Sequence, residues 1–332
     1  MEDKLLFVIG SPRSGSTMLQ RVLGSHSAIF THPEPHLLTP LAHLGYYYNV
    51  DKAPYDHINA AKAMREFVDE LPGGEQDFLD ACRAYTDTLY GRMLATRPDK
   101  RLFLDKTPAY ALVTDFVERL YPNAHYVVLT RNPLAILSSY ANSFFDGDYQ
   151  AAYAFNPILD RYVPAIARFL RDSTVPKYHV RYEDVVGAAD TTIAGVFDFL
   201  GLEHEPDAIN YGRHDHIKKS FGDPNVEAQS RPVQQSVDKW ARELAGDSGK
   251  LGFARGIIDG LTDEDLATWG YTRQGIFEQV DQATAADTPR ERINSYRLQR
   301  KLLLQLRKNI HDNQFGRVVK GLRYYCDVLL RD

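Results

Sequence analysis

Cysteine is nearly absent from this chain: Cys82 and Cys326 are its only two thiols in 332 residues. Two cysteines build neither a disulfide framework nor a cysteine-only zinc site, so a reducing, cytoplasmic setting is expected. Long apolar runs are missing too. No stretch approaches the roughly 18 apolar residues that a membrane-spanning helix needs, and the opening MEDKLLFVIG lacks the apolar core and cleavage site of a signal peptide. Repeats and low-complexity tracts are also absent. With 44% hydrophobic and 25% charged residues, the composition excludes disordered and collagen-like chains. Metal-ligand spacing is lacking as well. His32-Pro33-Glu34-Pro35-His36 only superficially resembles H-E-x-x-H, because its Glu is misplaced and two prolines forbid the helix. His214-Asp215-His216 has no third ligand set nearby, so no metal is expected.

Charge is present but uneven. The chain carries 39 Lys and Arg against 44 Asp and Glu, a net charge of -5. Arg290 to Asp332 alone holds 11 basic and 4 acidic residues, so an acidic body is followed by a basic tail. Leu298, Leu302, Leu303 and Leu306 form an apolar stripe in that tail, which predicts helices that pack on the body or join subunits of a homo-oligomer. The tail lacks the sustained cationic face and interleaved aromatics of a nucleic-acid or membrane binder.

Leu5 to Ile9 reads as a buried strand followed by a Gly-rich turn, and Met18, Leu19, Val22 and Leu23 share one face of the next helix. Further strands are predicted at Leu102–Leu104, Tyr126–Leu129 and Lys177–Val180. Helices are predicted at Ala81–Leu94, Val113–Leu120, Pro133–Phe144, Asn156–Leu170 and Thr191–Leu200. Asn132-Pro133 marks a helix start, an N-cap followed by Pro at the first position. Apolar strands alternating with helices predict an α/β protein whose central parallel sheet is covered on both faces. The expected organisation is a three-layer, P-loop-type domain over 1–280, with a helical insertion at about 40–95 and a basic helical C-terminal extension over 281–332. Residues 203–238 read as a long polar loop.

Gly10-Ser11-Pro12-Arg13-Ser14-Gly15-Ser16-Thr17 follows the first strand with the spacing of a P-loop, except that Ser16 stands where the lysine belongs. Small residues let successive backbone N–H groups curl round an anion at a helix N-terminus. Without the ammonium that reaches a triphosphate's β and γ groups, the loop points to a nucleotide other than ATP. A second piece is Arg131 at a strand end with Ser139 eight residues on, a fork and a short donor that can converge on one phosphate.

These residues resemble the sulfotransferases that use 3′-phosphoadenosine 5′-phosphosulfate (PAPS). Pro12, Arg13, Ser14, Gly15, Ser16 and Thr17 look like the family's 5′-phosphosulfate loop, and Arg131 with Ser139 like the pair holding the 3′-phosphate. Asp105-Lys106-Thr107-Pro108, Tyr182-Glu183-Asp184, Gly222-Asp223-Pro224 and Asp238-Lys239-Trp240 extend the likeness from about Leu5 to Trp240. Pro33-Glu34-Pro35-His36-Leu37-Leu38 is similar to a segment of the sulfotransferase domains embedded in bacterial polyketide synthases. Tyrosylprotein sulfotransferases resemble the chain more distantly.

The resemblance implies transfer of a sulfuryl group from PAPS to a hydroxyl without a metal. It implies Glu34 as the base, with His36 as alternative base or helper, and Arg13 and Lys106 as cations at the leaving phosphate. Tyr182 and Lys239 join the nucleotide contacts, with Lys218, Lys219 and Ser230 as further candidates on the long loop. A small-molecule, lipid, polyketide, carbohydrate or carrier-bound acceptor fits, and the basic tail is suited to an acidic carrier protein. Tyr46, Tyr47 and Tyr48 read either as an acceptor wall or as core. The alternatives are a P-loop kinase-like enzyme, disfavoured by Ser16, and a binding protein that keeps the fold without the chemistry.

Overall fold

The structure is a computed structural model that describes residues 1–48, 57–216, 226, 229–233 and 239–283. Lys218, Lys219, Gly222-Asp223-Pro224, Asp238, the leucine stripe and the basic tail lie outside the described residues.

Five parallel strands form the sheet: β1 (Leu5–Gly10), β2 (Ile29–Pro33), β3 (Leu102–Lys106), β4 (His125–Thr130) and β5 (Lys177–Arg181), in the order β2-β3-β1-β4-β5. All six residues of the central β1 are buried, as a strand covered on both faces requires. Alternation along it divides the core. Leu5, Phe7 and Ile9 join Phe103, Tyr126 and Val128 on one face; Leu6 and Val8 join Leu104, Val127 and Leu129 on the other.

The second face is covered by α1 (Ser16–Gly24), whose Met18, Leu19, Val22 and Leu23 point inward as their spacing predicts, and by α9 (Tyr182–Gly187) and α10 (Ala189–Phe199), reached below. The first face takes the remaining helices. After β2 come α2 (Leu38–Ala42), α3 (His57–Asp69) and α4 (Glu75–Ala95), then α5 (Thr114–Leu120), α6 (Pro133–Phe144), α7 (Tyr149–Phe155) and α8 (Ile158–Asp172). Beyond the long loop lie α11 (Lys239–Ala245), α12 (Ser248–Asp259), α13 (Asp263–Trp269) and α14 (Arg273–Gln282). The result is the expected three-layer α/β arrangement with a wholly parallel sheet.

Phe7 anchors the first face, stacking on Tyr126 at 5.4 Å between ring centroids and meeting Tyr121 at 5.8 Å. Tyr46 and Tyr47 pack against that same core, Tyr46 stacking on Phe78 at 4.9 Å and Tyr47 meeting Phe116 edge-on at 5.0 Å. Their rings pack there and, with Tyr48, also line a surface pocket beside Arg65, Asp69 and Arg119. Asn132 caps α6 as its sequence predicts, its side chain accepting from Leu134 N at 2.9 Å with Pro133 in the first turn.

Candidate active site

Every strand delivers a candidate residue at its C-terminal end, the edge where open α/β sheets bind ligands. The phosphate loop follows β1, Glu34 follows β2, Lys106 closes β3, Arg131 follows β4 and Tyr182 follows β5. Parallel pairing aligns these ends: Pro33 is registered with Lys106, Gly10 with Leu129 and Thr130 with Arg181.

The loop between β1 and α1 has the shape of an anion cradle. Gly15 caps α1 in the left-handed region at φ 93°, and Arg13 takes φ 67°. Ser14 is fully buried, yet its hydroxyl has no hydrogen-bond partner among the described residues. A buried hydroxyl left so is costly unless a ligand completes it. Ser16 is nearly buried at the helix start, where backbone N–H groups lack intrahelical acceptors. These features fit a phosphate group. Tyr182 presses its ring on the loop so closely that a Cβ on Gly15 would come within 2.4 Å of it.

Arg131, Arg13 and Ser139 converge behind the loop. Arg13 Nε donates to Ser139 Oγ at 3.1 Å, and Arg131 Nη1 donates to the Arg13 carbonyl at 3.1 Å. Arg131 is 8% exposed, its guanidinium 4.2 Å above the Tyr182 ring, and burial pulls its pKa below the ordinary arginine value. An arginine starts from so high a value that the group stays a cation. The Arg13 guanidinium also reaches the Phe144 ring at 5.8 Å, which puts its side chain on the Ser139 side of the loop.

Glu34, His36 and Lys106 form the second cluster. Lys106 is 1% exposed; its Nζ donates to Glu34 Oε1 at 2.5 Å and to Thr17 Oγ1 at 3.4 Å. It thereby brings to the start of α1 the ammonium that position 16 lacks. His36 Nε2 lies 3.7 Å from the other oxygen of Glu34. Asp105 turns to the opposite face of the sheet, so Lys106 is partnered by Glu34 and not by its sequence neighbour. Glu34 and His36 adopt φ 32° and 53°. Three of the four non-glycine residues with positive φ among those described are thus Arg13, Glu34 and His36. Such strain persists where the surroundings over-determine it, and it clusters at functional sites.

Lys239 opens α11, is exposed, and makes no hydrogen bond or ion pair among the described residues. Its helix is tied to α6 through Glu243 Oε2, which accepts from Ser138 Oγ and Asn142 Nδ2, each at 2.8 Å. Ser230 is exposed, its carbonyl accepting from Gly212 N at 2.9 Å. Pro12 lies on the loop, with its carbonyl accepting from Ser11 Oγ.

Other residues support the site, Trp269 and Tyr271 among them without a sequence signal. Trp269 Nε1 donates to the Arg131 carbonyl at 2.8 Å from 138 residues away. Glu183 accepts from Asn132 N at 3.0 Å and from the Tyr271 hydroxyl. Trp269 and Tyr271 belong to the stretch after Trp240, which carries no family motif.

A P-loop-like turn at the head of a parallel sheet, backed by two arginines and faced by a Glu–Lys pair, is the arrangement from which the class follows. The sulfotransferase family profile matches residues 6–206, and the chain belongs to that family. It is 30% identical over 267 residues to the nodulation protein NoeE of Sinorhizobium fredii (strain NBRC 101917 / NGR234), which covers 72% of this chain and 60% of that protein. This chain therefore matches less than two thirds of that relative's length. In fold it is similar to the sulfotransferase domain of the curacin biosynthetic pathway, with a TM-score of 0.50, 23% identity, and coverage of 71% of this chain and 89% of that one. The sulfotransferase domain of the Synechococcus PCC 7002 olefin synthase gives a TM-score of 0.50 at 24% identity, covering 71% and 86%. Among the described residues no helix is long and apolar enough to cross a membrane.

Proposed function

We propose that this chain moves the sulfuryl group of PAPS to a hydroxyl of a small-molecule, lipid, polyketide or carrier-bound acceptor, giving a sulfate ester and adenosine 3′,5′-bisphosphate (PAP). The observation that carries this reading is the contact chain Thr17–Lys106–Glu34, which joins the phosphate loop to a carboxylate at hydrogen-bond distances.

In this reading the loop of Pro12 to Thr17 holds the 5′-phosphate through backbone N–H groups and the Ser14 hydroxyl. Arg131 and Ser139 hold the 3′-phosphate; Arg13, hydrogen-bonded to Ser139, joins them there and leaves Lys106 as the cation expected at the leaving phosphate, and Tyr182 braces the loop. Lys239 reaches the nucleotide from α11. Glu34 takes the proton of the acceptor hydroxyl as its oxygen bonds to sulfur and the bond from sulfur to the phosphate oxygen breaks. Lys106 lies between the two charges concerned. By turning from Glu34 to the oxygen that gains charge, it frees the carboxylate as the proton arrives, an electrostatic contribution of several kcal/mol. His36, half-exposed beside Glu34, orients the carboxylate or the acceptor.

The test is transfer of label from PAPS to a panel of alcohols, phenols, saccharides and acyl-carrier-bound hydroxyls. Glu34→Gln is expected to slow transfer by about 10²–10⁴-fold, the usual worth of a general base, while PAP still binds. Transfer from ATP with Mg²⁺ in place of PAPS would favour the kinase-like reading.

A further inference from the structure

A buried carboxyl that this chemistry does not use lies directly behind the Glu34 loop. Asp105 is fully buried on β3. Strand alternation sends it to the face opposite Lys106, among the aromatic residues beneath Phe7. Its Oδ2 accepts from the hydroxyls of Tyr90 at 2.6 Å and Tyr110 at 3.0 Å, and its Oδ1 accepts from Thr107 at 2.9 Å. Burial pushes this carboxyl above the ordinary aspartate value, and the three hydroxyl donors oppose that rise.

A phenol has one proton. With Tyr110's committed to Asp105, its oxygen is left to accept, and it does so from Leu38 N at 3.2 Å. Leu38 is fully buried and opens α2, where a backbone N–H has no intrahelical acceptor and no water to replace one. Only residues 34–37 separate Leu38 from the end of β2, and Glu34 and His36 among them carry positive φ. At the other end of this loop Pro33 is registered with Lys106. Both ends are therefore fastened to β3, one by the strand ladder and the other through Tyr110.

We propose that Asp105 and Tyr110 are positioning residues, clamping through Leu38 the strained loop that aims Glu34 at Lys106. This rests on the reading of Glu34 as the base. Neither residue touches substrate. Conformations costing about 1–3 kcal/mol each need such a hold, and the short Pro33–Leu38 connection transmits it.

Tyr90 supplies the control within the same cluster, since its buried hydroxyl goes to the same Asp105 oxygen and meets that of Tyr110 but is not hydrogen-bonded to the loop. In the full chain, Tyr110→Phe and Tyr90→Phe are compared by amide exchange of Leu38 and by release of label from PAPS to water, a probe that needs no identified acceptor. In that step water's oxygen bonds to sulfur, its proton passes to Glu34 and PAP leaves. Tyr110→Phe is expected to speed Leu38 exchange and slow release by about tenfold each, equivalent to about 1.4 kcal/mol, with PAP affinity unchanged. Tyr90→Phe is expected to leave both near wild type. Equal behaviour of the two variants, while Glu34→Gln still abolishes release, overturns the clamp and leaves the base assignment standing. Wild-type release by Glu34→Gln overturns the base assignment and the positioning role with it, whatever Leu38 does.

Discussion

Gly15 shows how narrow the tolerances of the phosphate loop are. Its φ of 93° excludes most side chains, and a Cβ would fall 2.4 Å from the Tyr182 ring, which carries Arg131 on its face. Gly15→Ala is therefore expected to displace Tyr182 and weaken PAP binding by about tenfold or more, since a buried contact to a charged group contributes about 1.5–3 kcal/mol. The fold should survive, which calorimetry alongside thermal unfolding would show. Lys106 behaves differently. It pairs with Glu34 in a nearly closed setting, so Lys106→Met leaves a carboxylate behind without its cation. Removing one partner of a buried pair costs about 3–5 kcal/mol. Glu34 keeps some exposure, so the loss should fall at the low end, while transfer activity falls far more. Unchanged activity in Lys106→Met would contradict the role proposed for it at the leaving group. The contact itself could not be read from sequence, where Asp105 was the neighbour at hand; strand alternation separates the two.

At the scale of elements, legibility followed periodicity and caps. The helix predicted at Pro133–Phe144 is α6 with the same bounds, because Asn132 and Pro133 encode its start locally. Asn132→Ala is expected to cost about 0.5–2 kcal/mol through loss of that cap, read as a lower denaturant midpoint with unchanged slope. Strand β2 escaped the reading: Ile29–Pro33 holds just two apolar residues before Thr31, His32 and Pro33, and edge position relaxes the demand for more. Helix α4 starts at Glu75 and not at Ala81, as the acidic residues of its first turn signal in hindsight. Helix α11 opens on the Lys239-Trp240 motif, but α12 to α14 carry no family motif, so the support Trp269 gives Arg131 could not be foreseen. By contrast the candidate residues Arg13, Arg131, Glu34 and Lys106 stood out because each lies in a short motif at a strand end, and Ser139 through its spacing from Arg131 along α6.

The whole molecule gathers five strand ends into one edge, with two covered faces to hold them rigid. Its acid response belongs to this scale. Burial lowers the pKa of His125, beside Phe199, and of His216, whose ring meets the Tyr211 carbonyl. The unfolded chain then takes up protons near the ordinary histidine value of 6.5 that the folded chain resists. Their contribution to stability is thus present above that value and is lost as pH falls through the depressed folded values. The unfolding midpoint should drop as pH falls below 6.5, and the double variant His125→Gln, His216→Gln should reduce that slope, with His179, whose pKa is lowered too, supplying the remainder. An equal slope in the variant would assign the effect to other groups.

The loop and the Arg13–Arg131–Ser139 cluster are proposed as one site for an adenosine nucleotide carrying a 3′-phosphate. Calorimetric titration of the protein with PAP and with ADP, without added metal, tests it most directly. PAP is expected to bind, ADP to bind more weakly by about tenfold or more, as loss of a charge-assisted contact implies, and Arg131→Ala to remove the difference. Equal binding of the two nucleotides, or preference for ADP that survives Arg131→Ala, would contradict it.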